Sequence, residues 1–302
     1  MGILRLRADL HNHSCLSPCG DLSMSPSVLA RAAQARGIDI LALTDHNASL
    51  NCPPFALACA ARRVIPIFGM ELCSAEEVHL LALFPSPGAA LRFGAEIHKF
   101  LPRLSWNSET FGDQAVVDAE ENLLELHETW LGAALDTSFE DLAFRASSAK
   151  AIVIPAHVDR AMFSVQSQLG FLPSGPYDAV ESVFSPMDIL SGGHSVISGS
   201  DAHYPEHIGR RPFGVELPEA QAETLIDALN RYAETMNLLR ASNRISESGT
   251  EFGGYEELFL LKEVIEYPES EAQAFFETLR EALRAGRVEP SFARGLQSAQ
   301  RI

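Results

Sequence analysis

Short apolar segments recur along the first two thirds of the chain, and each is followed by polar residues and then by a segment with helical spacing. In chain order the segments are LRLRADLH, IDILALTDH, RVIPIFGMEL, EVHLLALF, KAIVIPAHV, DAVESVF, HSVISGSDAH and PFGVEL. Nearly continuous apolar runs rich in β-branched residues are typical of strands that are buried on both faces. The pattern therefore predicts parallel α/β layers, arranged as a sheet or as a barrel.

Helices between these strands are predicted from the residues at their ends. Ser25 followed by Pro26 predicts the start of a helix, and Gly37 predicts its end. Ser138 with Asp141 resembles a capping box and predicts a second helix over LAFRASSAK.

One connection, from Phe84 to Lys150, is too long for an ordinary loop. We predict structure within it, including a β-hairpin formed by QAVVD and LLELH. The segment is either a solvated acidic surface or a lid over the site. A break rich in Ser and Gly, ASNRISESGTEFGG, follows the last strand and helix pattern. The predicted domains are a barrel over residues 1–85 and 150–240, an inserted subdomain over 86–149, and a C-terminal extension over 241–302.

Composition and charge narrow the class of protein. An apolar fraction of 46% and a charged fraction of 21% are near the average for soluble globular enzymes. The formal net charge of −17 argues against a protein that coats nucleic-acid phosphates, so we expect no duplex nucleic acid as a partner. We also expect no membrane partner, because no uncharged apolar run approaches the roughly 20 residues that span a bilayer.

The N-terminal sequence MGILRLRADLHNH has no apolar core of a secretory signal. The 5 cysteines are odd in number, which favours a reduced, cytoplasmic protein. The oligomeric state stays open.

Metal-ligating residue types follow the strand-like segments. In a strand, residues i and i+2 lie on the same face, so the pair in HNH can offer two imidazoles to one ion. Imidazoles and carboxylates together bind Mn, Fe or Zn at hydrolytic centres, and a carboxylate can bridge two ions. Because the carboxyl ends of barrel strands meet at one edge, a site is expected there. The candidates are His11, His13, Asp45, His46, Glu71, His157, Asp201 and His203, with His79 inside EVHLLALF.

The ordered motifs DLHNHS, TDHN, GMEL, EVHLLALF, PAHVDR and GSDAH resemble the PHP (polymerase and histidinol phosphatase) superfamily, specifically its stand-alone metal-dependent phosphoesterases. The resemblance covers roughly residues 7 to 215, interrupted by the insertion. It implies an α/β fold, a distorted (β/α)7 barrel of PHP type, with an inserted subdomain and a C-terminal extension. It also implies two to three divalent metal ions, Mn, Fe or Zn, at the mouth of the barrel.

The resemblance implies a set of ligands for each ion. At the third ion the family usually reads SDG, whereas the loop here reads SCLSPCGDLSMSP, so Cys19 and Asp21 both stay candidates. The implied sets are His11, His13, Glu71 and Asp201 for the first ion; Glu71, His79 and His157 for the second; and His46 and His203 with Cys19 or Asp21 for the third.

Other residues are candidates for binding the phosphate ester and for transferring protons during its hydrolysis. Arg160, three residues after the histidine of PAHVDR, is placed to bind a phosphoryl group with two hydrogen bonds. Arg210 and Arg211 are further candidates for substrate binding, with ion pairing to the acidic surface as the alternative. His203 or a neighbouring metal-bound water is a candidate proton donor to the leaving alkoxide. Asp45, like Asp9, is expected to accept a hydrogen bond from an imidazole and orient it.

These expectations describe a phosphoesterase that uses a metal-activated water. Its substrate is expected to be a small anionic ester: a nucleotide, a nucleoside 3′,5′-bisphosphate or the end of a short oligonucleotide. The alternatives are a phosphatase of the histidinol-phosphate type, a non-catalytic regulatory module that binds metal, and a related barrel hydrolase that acts on C–N bonds.

Overall fold

The computed structural model describes residues 2–104, 107–241 and 254–292. The strands are β1 (Ile3–Asp9), β2 (Ile40–His46), β3 (Ile65–Cys73), β4 (His79–Phe84), β5 (Ala115–Val117), β6 (Leu123–Leu126), β7 (Ile152–Pro155), β8 (Val180–Glu181), β9 (Val196–Ile197), β10 (Phe213–Pro218) and β11 (Val288–Glu289). The helices are α1 (Pro26–Ala35), α2 (Cys52–Ala60), α3 (Pro87–Ile97), α4 (Ser108–Phe111), α5 (Phe139–Ser148), α6 (Val165–Gln168), α7 (Asp188–Ser191), α8 (Glu219–Ala241), α9 (Tyr255–Leu258), α10 (Lys262–Ile265) and α11 (Glu269–Arg284). Two 3-10 turns are His98–Phe100 and Pro205–His207. Within the described ranges, no helix combines the length and the apolar character needed to cross a bilayer.

Seven strands form the main sheet, in the order β11-β10-β1-β2-β3-β4-β7. Strands β1, β2 and β3 are parallel, whereas β4 runs antiparallel to both β3 and β7, and β10 runs antiparallel to β1. The prediction of parallel strands therefore fails at β4 and β10, which run antiparallel to their neighbours. The link between β3 and β4 is too short for the helical crossover that a parallel pair requires, so the chain reverses there.

The small sheet of β8 and β9, which are parallel, lies between β7 and β1. After β7, Val158 N donates to Glu181 O at 2.8 Å, and after β1, His13 N donates to Ala202 O at 3.0 Å. These bonds curl the main sheet toward closure. The distorted barrel expected from the sequence is confirmed.

Strand direction decides which residues reach the mouth of this barrel. The carboxyl ends of β1, β2, β3 and β7 lie at one edge. Because β4 runs antiparallel to β3, its first residue arrives at that same edge, and His79 pairs in register with Cys73. A histidine at the start of β4 thus joins residues at the ends of the other strands.

The helix ends predicted from the sequence are present. The Ser25 side chain accepts a hydrogen bond from Val28 N at the start of α1, and Gly37 follows the helix with a φ of +63°. A positive φ is accessible to glycine at little cost, which explains the end of the helix there. Ser138 caps α5 by accepting from Asp141 N.

The predicted hairpin in the long connection is formed by the antiparallel pair β5 and β6, and Ala115 N donates to Cys15 O at 2.9 Å. In the same connection α3 packs on β3 and β4. The described part of the C-terminal extension packs on the barrel, because α11 contacts α8 and β10 and β11 pairs with β10. The division into domains and the role of the insertion as a lid stay predictions. Residues 242–253 and 293–302 of the predicted extension lie outside the described residues.

Candidate metal centre

Glu71, near the carboxyl end of β3, is the carboxylate on which the imidazoles converge. Its side chain is 1% exposed. One oxygen, Oε1, lies 2.7 Å from His79 Nδ1, 3.0 Å from His157 Nε2 and 3.2 Å from His11 Nε2. A buried carboxylate shared among several imidazoles is the arrangement expected of a bridging ligand.

The other oxygen, Glu71 Oε2, faces a second set of donors. It lies 3.2 Å from His46 Nδ1 and 3.3 Å from His13 Nε2. Asp201 Oδ1 lies 3.4 Å from His13 Nε2 and 3.6 Å from His11 Nε2. The two carboxylates therefore reach the HNH pair from separate segments, Glu71 from β3 and Asp201 from the loop after β9.

The distances between donors fit divalent ions. Nitrogen and oxygen ligands held tetrahedrally at about 2.0–2.1 Å from one ion lie about 3.3 to 3.4 Å from one another. The distances among His13, Glu71 and Asp201 fall close to this range. In the part of the chain that the structure describes, three groups of donors are close enough to share an ion: His11, His13, Glu71 and Asp201; His46, Glu71 and His79; and His13, His46 and His203.

The loop that departs from the family motif brings Cys19, and not Asp21, to the histidines. Cys19 Sγ lies 3.1 Å from both His46 Nε2 and His203 Nε2. The exposed carboxylate of Asp21 instead accepts from the amide and hydroxyl of Ser23. Of the two candidates for the third ion, geometry favours the thiol. The resemblance places His46 in the ligand set of the third ion alone. In the structure its Nε2 faces Cys19 of that set, but its Nδ1 also reaches Glu71, which belongs to the other two sets.

Two of the residues that follow strands have left-handed backbone conformations. His157, after β7, has a φ of +30°, and Asp201, after β9, has a φ of +47°. Residues other than glycine adopt such angles at an energetic cost, and they cluster at sites where function requires the geometry. This backbone turns both side chains into the mouth of the barrel.

Burial and mutual charge set the protonation of the cluster. Burial alone would raise the pKa of Glu71, but the charges of His79 and His11 outweigh it and hold that pKa well below the ordinary value. Burial lowers the pKa of His46 well below the ordinary value and lowers that of His79 as well. For His11, burial opposes the charged form, but the charges of Glu181 and Glu71 raise the pKa well above the ordinary value. The cluster thus combines an ionised carboxylate with neutral imidazoles at His46 and His79, whereas His11 must lose a proton before it can bind a cation.

His203 and His13 have pKa values shifted in opposite directions. Burial, reinforced by the charge of His13, lowers the pKa of His203 to about 4. An unprotonated imidazole suits a metal ligand, and the role of His203 as a proton donor stays a prediction. Burial opposes the charged form of His13 too, but hydrogen bonds to Asp201 and Glu71 raise its pKa to about 9.

Two residues that hold the HNH imidazoles were missed in the sequence. Glu181 Oε2 lies 2.9 Å from His11 Nδ1, and Ser17 Oγ lies 3.0 Å from His13 Nδ1. A Cβ at Gly199 would lie 2.5 Å from Glu181 Oε2, so a glycine there leaves room for this carboxylate. The available signal was the acidic residue within the apolar strand DAVESVF, because a buried carboxylate needs a partner.

Asp45 and Asp9 lie elsewhere than expected. The Asp45 carboxylate accepts from the hydroxyls of Ser14 and Ser17 at 2.7 Å, so it reaches His13 only through Ser17. Asp9 accepts from the backbone amides of Ser200 and Gly209 and ties the loop after β9 to β1. Neither side chain is placed to act on a substrate, since both are fully buried behind the cluster.

A cavity of about 490 Å³ opens over the cluster and gathers three arginines. Arg160 Nη1 donates to Asp201 Oδ2 at 2.8 Å, while Arg210 and Arg211 donate to backbone carbonyls of the loop after β9. Burial and the neighbouring charge of Arg211 lower the pKa of Arg210, which indicates positive charge that an anion would offset. The lining residues are Cys19, Arg160, Val183, Asp201, His203, Tyr204, His207, Arg210 and Arg211.

Comparison with known proteins supplies a family and a fold. The PHP domain family matches residues 9–181, more than half of the chain. Endonuclease Q from Pyrococcus furiosus is similar over 76% of this chain and 56% of its own, with a TM-score of 0.53 at 18% identity. A complex of Endonuclease Q with a 27-mer duplex substrate that has an abasic lesion at the active site is similar over 76% of this chain and 57% of its own, again with a TM-score of 0.53 at 18% identity. The chain thus spans a little over half the length of these structures, and the similarity shows the fold. No curated protein matches the chain.

The exclusion of duplex nucleic acid as a partner is wrong. It rested on the net charge of −17, yet Endonuclease Q, which has this fold, is solved with a duplex substrate. Net charge describes the whole surface, whereas a phosphate meets only the local potential of the cleft that receives it. Here that cleft contains three arginines.

The barrel, the order of its ligand-type residues and the family match agree with one another. Histidines and carboxylates from separate strands meet in three groups at the mouth of the barrel. The chain therefore belongs to the PHP domain family, and its buried cluster of histidines and carboxylates is arranged as donors that could hold divalent metal ions.

Proposed function

We propose that this protein hydrolyses a phosphate ester of a nucleotide or of an oligonucleotide end. The observation that carries the proposal is a cavity with three arginines directly above a buried cluster of histidines and carboxylates. The arginines fit an anionic phosphoryl group, and the cluster fits divalent cations.

The first ion is assigned to the HNH pair with Glu71 and Asp201. Glu71 would also hold the second, with His46, His79 and His157, and Cys19 with His203 would hold the third. When bound, such ions supply a nucleophilic water at neutral pH and offset the charge of the phosphoryl group.

The residues of the chain position the ester for this reaction. Arg160 keeps one donor on Asp201 and is 40% exposed, so its remaining donors are free to face the phosphoryl oxygens. Arg210 and Arg211 are tied to the backbone after β9, which fixes their guanidinium groups before substrate arrives. Preorganised donors of this kind stabilise developing charge without reorganisation.

A second candidate function is cleavage of a strand within duplex DNA. The fold similarity to Endonuclease Q, together with that protein's duplex complex, favours testing it. This candidate shares the same metal cluster and arginines and differs in the size of the substrate.

The test begins with metal analysis of protein purified without chelator. The protein is then assayed with Mn²⁺ against mononucleotides, 3′,5′-bisphosphates, oligonucleotides, histidinol phosphate and a duplex with an abasic site. Turnover of a nucleotide or an oligonucleotide end supports the proposal, and cleavage of the duplex supports the second candidate. Bound metal without turnover of any substrate refutes both in favour of a non-catalytic module.

The Arg160→Ala variant tests the assignment of the cavity. We expect turnover to fall by roughly 100- to 1000-fold, as when one preorganised donor is removed, with metal content unchanged. Arg145→Ala is the matched control, since Arg145 is 42% exposed and also pairs with one carboxylate, but on α5. Loss of metal from Arg160→Ala would mean that Arg160 holds Asp201 and does not bind the substrate.

A further inference from the structure

Exposed apolar side chains stand on three loops that line the cationic cavity. Val183 lines the cavity, and the next residue, Phe184, is 67% exposed. Tyr204 lines the cavity and is 45% exposed. Met162, two residues after Arg160, is 60% exposed. The rim beside the arginines is therefore apolar and open to solvent.

The backbone that carries Phe184 is held by a single carboxylate. Asp159 Oδ1 accepts from Val183 N, and Asp159 Oδ2 accepts from Phe184 N, each at 2.8 Å. Asp159 Oδ2 also accepts from Ser182 Oγ at 2.7 Å. Ordering a turn costs conformational entropy, and leaving a phenyl ring in water forgoes its burial. A fixed turn that presents an exposed ring is therefore suited to binding a partner group.

Resting on the proposed function, we infer that Phe184 and Tyr204 bind the nucleobase of the substrate. The arginines account for the phosphoryl group. Tyr204 and Val183 line the same cavity, and Phe184 follows Val183 directly in the chain. A nucleotide has this combination of a dianion and a planar ring. Bases of any sequence stack on aromatic faces, so the rim selects for a base without selecting which one. Asp159 acts as a positioning residue for Phe184.

The test compares two probes that differ only in the base: adenosine 5′-monophosphate and ribose 5-phosphate. The Kd of each is measured by calorimetry on the metal-loaded protein, or the KM where the probe is turned over. The wild-type protein is expected to prefer the nucleotide by roughly 5- to 150-fold, the effect of one base stacked on an aromatic ring.

Phe184→Ala is expected to lose most of this preference, and Phe184→Trp to retain it. Phe144→Ala is the matched control, because Phe144 is 56% exposed on α5, outside the cavity, and the preference should survive. Asp159→Asn should weaken the preference for the nucleotide, because it loosens the turn that holds Phe184. Adding Phe184→Trp to the Asp159→Asn variant should not restore the preference.

The outcomes separate this inference from the proposed function. Equal affinity of the wild-type protein for both probes, or an unchanged preference in Phe184→Ala, overturns the inference while phosphoesterase activity stands. Absence of turnover across the substrate panel overturns the proposed function, even where the preference for the base is found.

Discussion

Removal of the charge on Glu181 should lower the metal affinity of the first site, although Glu181 itself is not a ligand. The carboxylate is 1% exposed and lies 2.9 Å from His11 Nδ1, so it holds the ring with Nε2 directed at Glu71. Glu181→Gln keeps the shape and an acceptor oxygen but loses the charge. Loss of a partner behind a ligating histidine costs about 10- to 100-fold in metal affinity. We expect about tenfold for this variant, or about 1.4 kcal/mol.

Glu181→Ala should reach the upper end of that range, because it leaves the buried Nδ1–H of His11 without an acceptor. The assay titrates metal-free protein with Zn²⁺ against a chromophoric chelator. Asp178→Asn is the control: Asp178 is a buried carboxylate in the same segment, but it bonds to Val153 N and Arg284. It should lower thermal stability and leave metal affinity unchanged. Unchanged affinity in Glu181→Gln, or an equal loss in Asp178→Asn, would refute the positioning role.

Three further predictions concern the ligand of the third ion, the pH dependence of metal affinity and the stability of the hydrophobic core. Cys19→Ser should lower metal stoichiometry and abolish the thiolate-to-metal band of the Co²⁺ form, whereas Asp21→Asn should change neither; the reverse result would assign the ligand to Asp21. Because the pKa of His13 is about 9 without metal, a cation must displace its proton below that pH. As the pH is lowered, metal affinity should then fall by up to tenfold per pH unit for each proton released. Calorimetry in buffers of different ionisation enthalpy should detect this proton release at pH 7. A binding heat that does not depend on the buffer would contradict the prediction. The Phe68 ring is fully buried, and its centroid lies 5.3 Å from that of Tyr267. Phe68→Ala should lower the free energy of unfolding, measured in urea, by about 3–5 kcal/mol. A smaller loss would mean that the core collapses into the space left by the ring.

Local patterns in the chain were sufficient for much of the architecture. The apolar runs marked the strands because burial on both faces demands continuous apolar residues, and Ser25 and Gly37 marked the ends of α1 through backbone bonding that depends on a few neighbours. Most ligand-type residues were visible because they stand at or just after the end of a strand, whereas His79 stands at the start of β4.

Strand direction and the orientation of imidazoles depended on contacts between residues far apart in the chain. The reversal at β4 brings His79 to the mouth of the barrel. The partner of His11 is Glu181, 170 residues away, and the choice of Cys19 over Asp21 follows from how one loop packs against two histidines.

Sequence alone therefore determined which elements form and which residue types can bind metal, because backbone hydrogen bonding and hydrophobic burial act over short stretches. Only the tertiary structure decided which donors lie together, which carboxylate orients which ring, and which arginines line the cavity above them. Those choices depend on distances of about 3 Å between strands and loops, and such distances exist only once the barrel has closed.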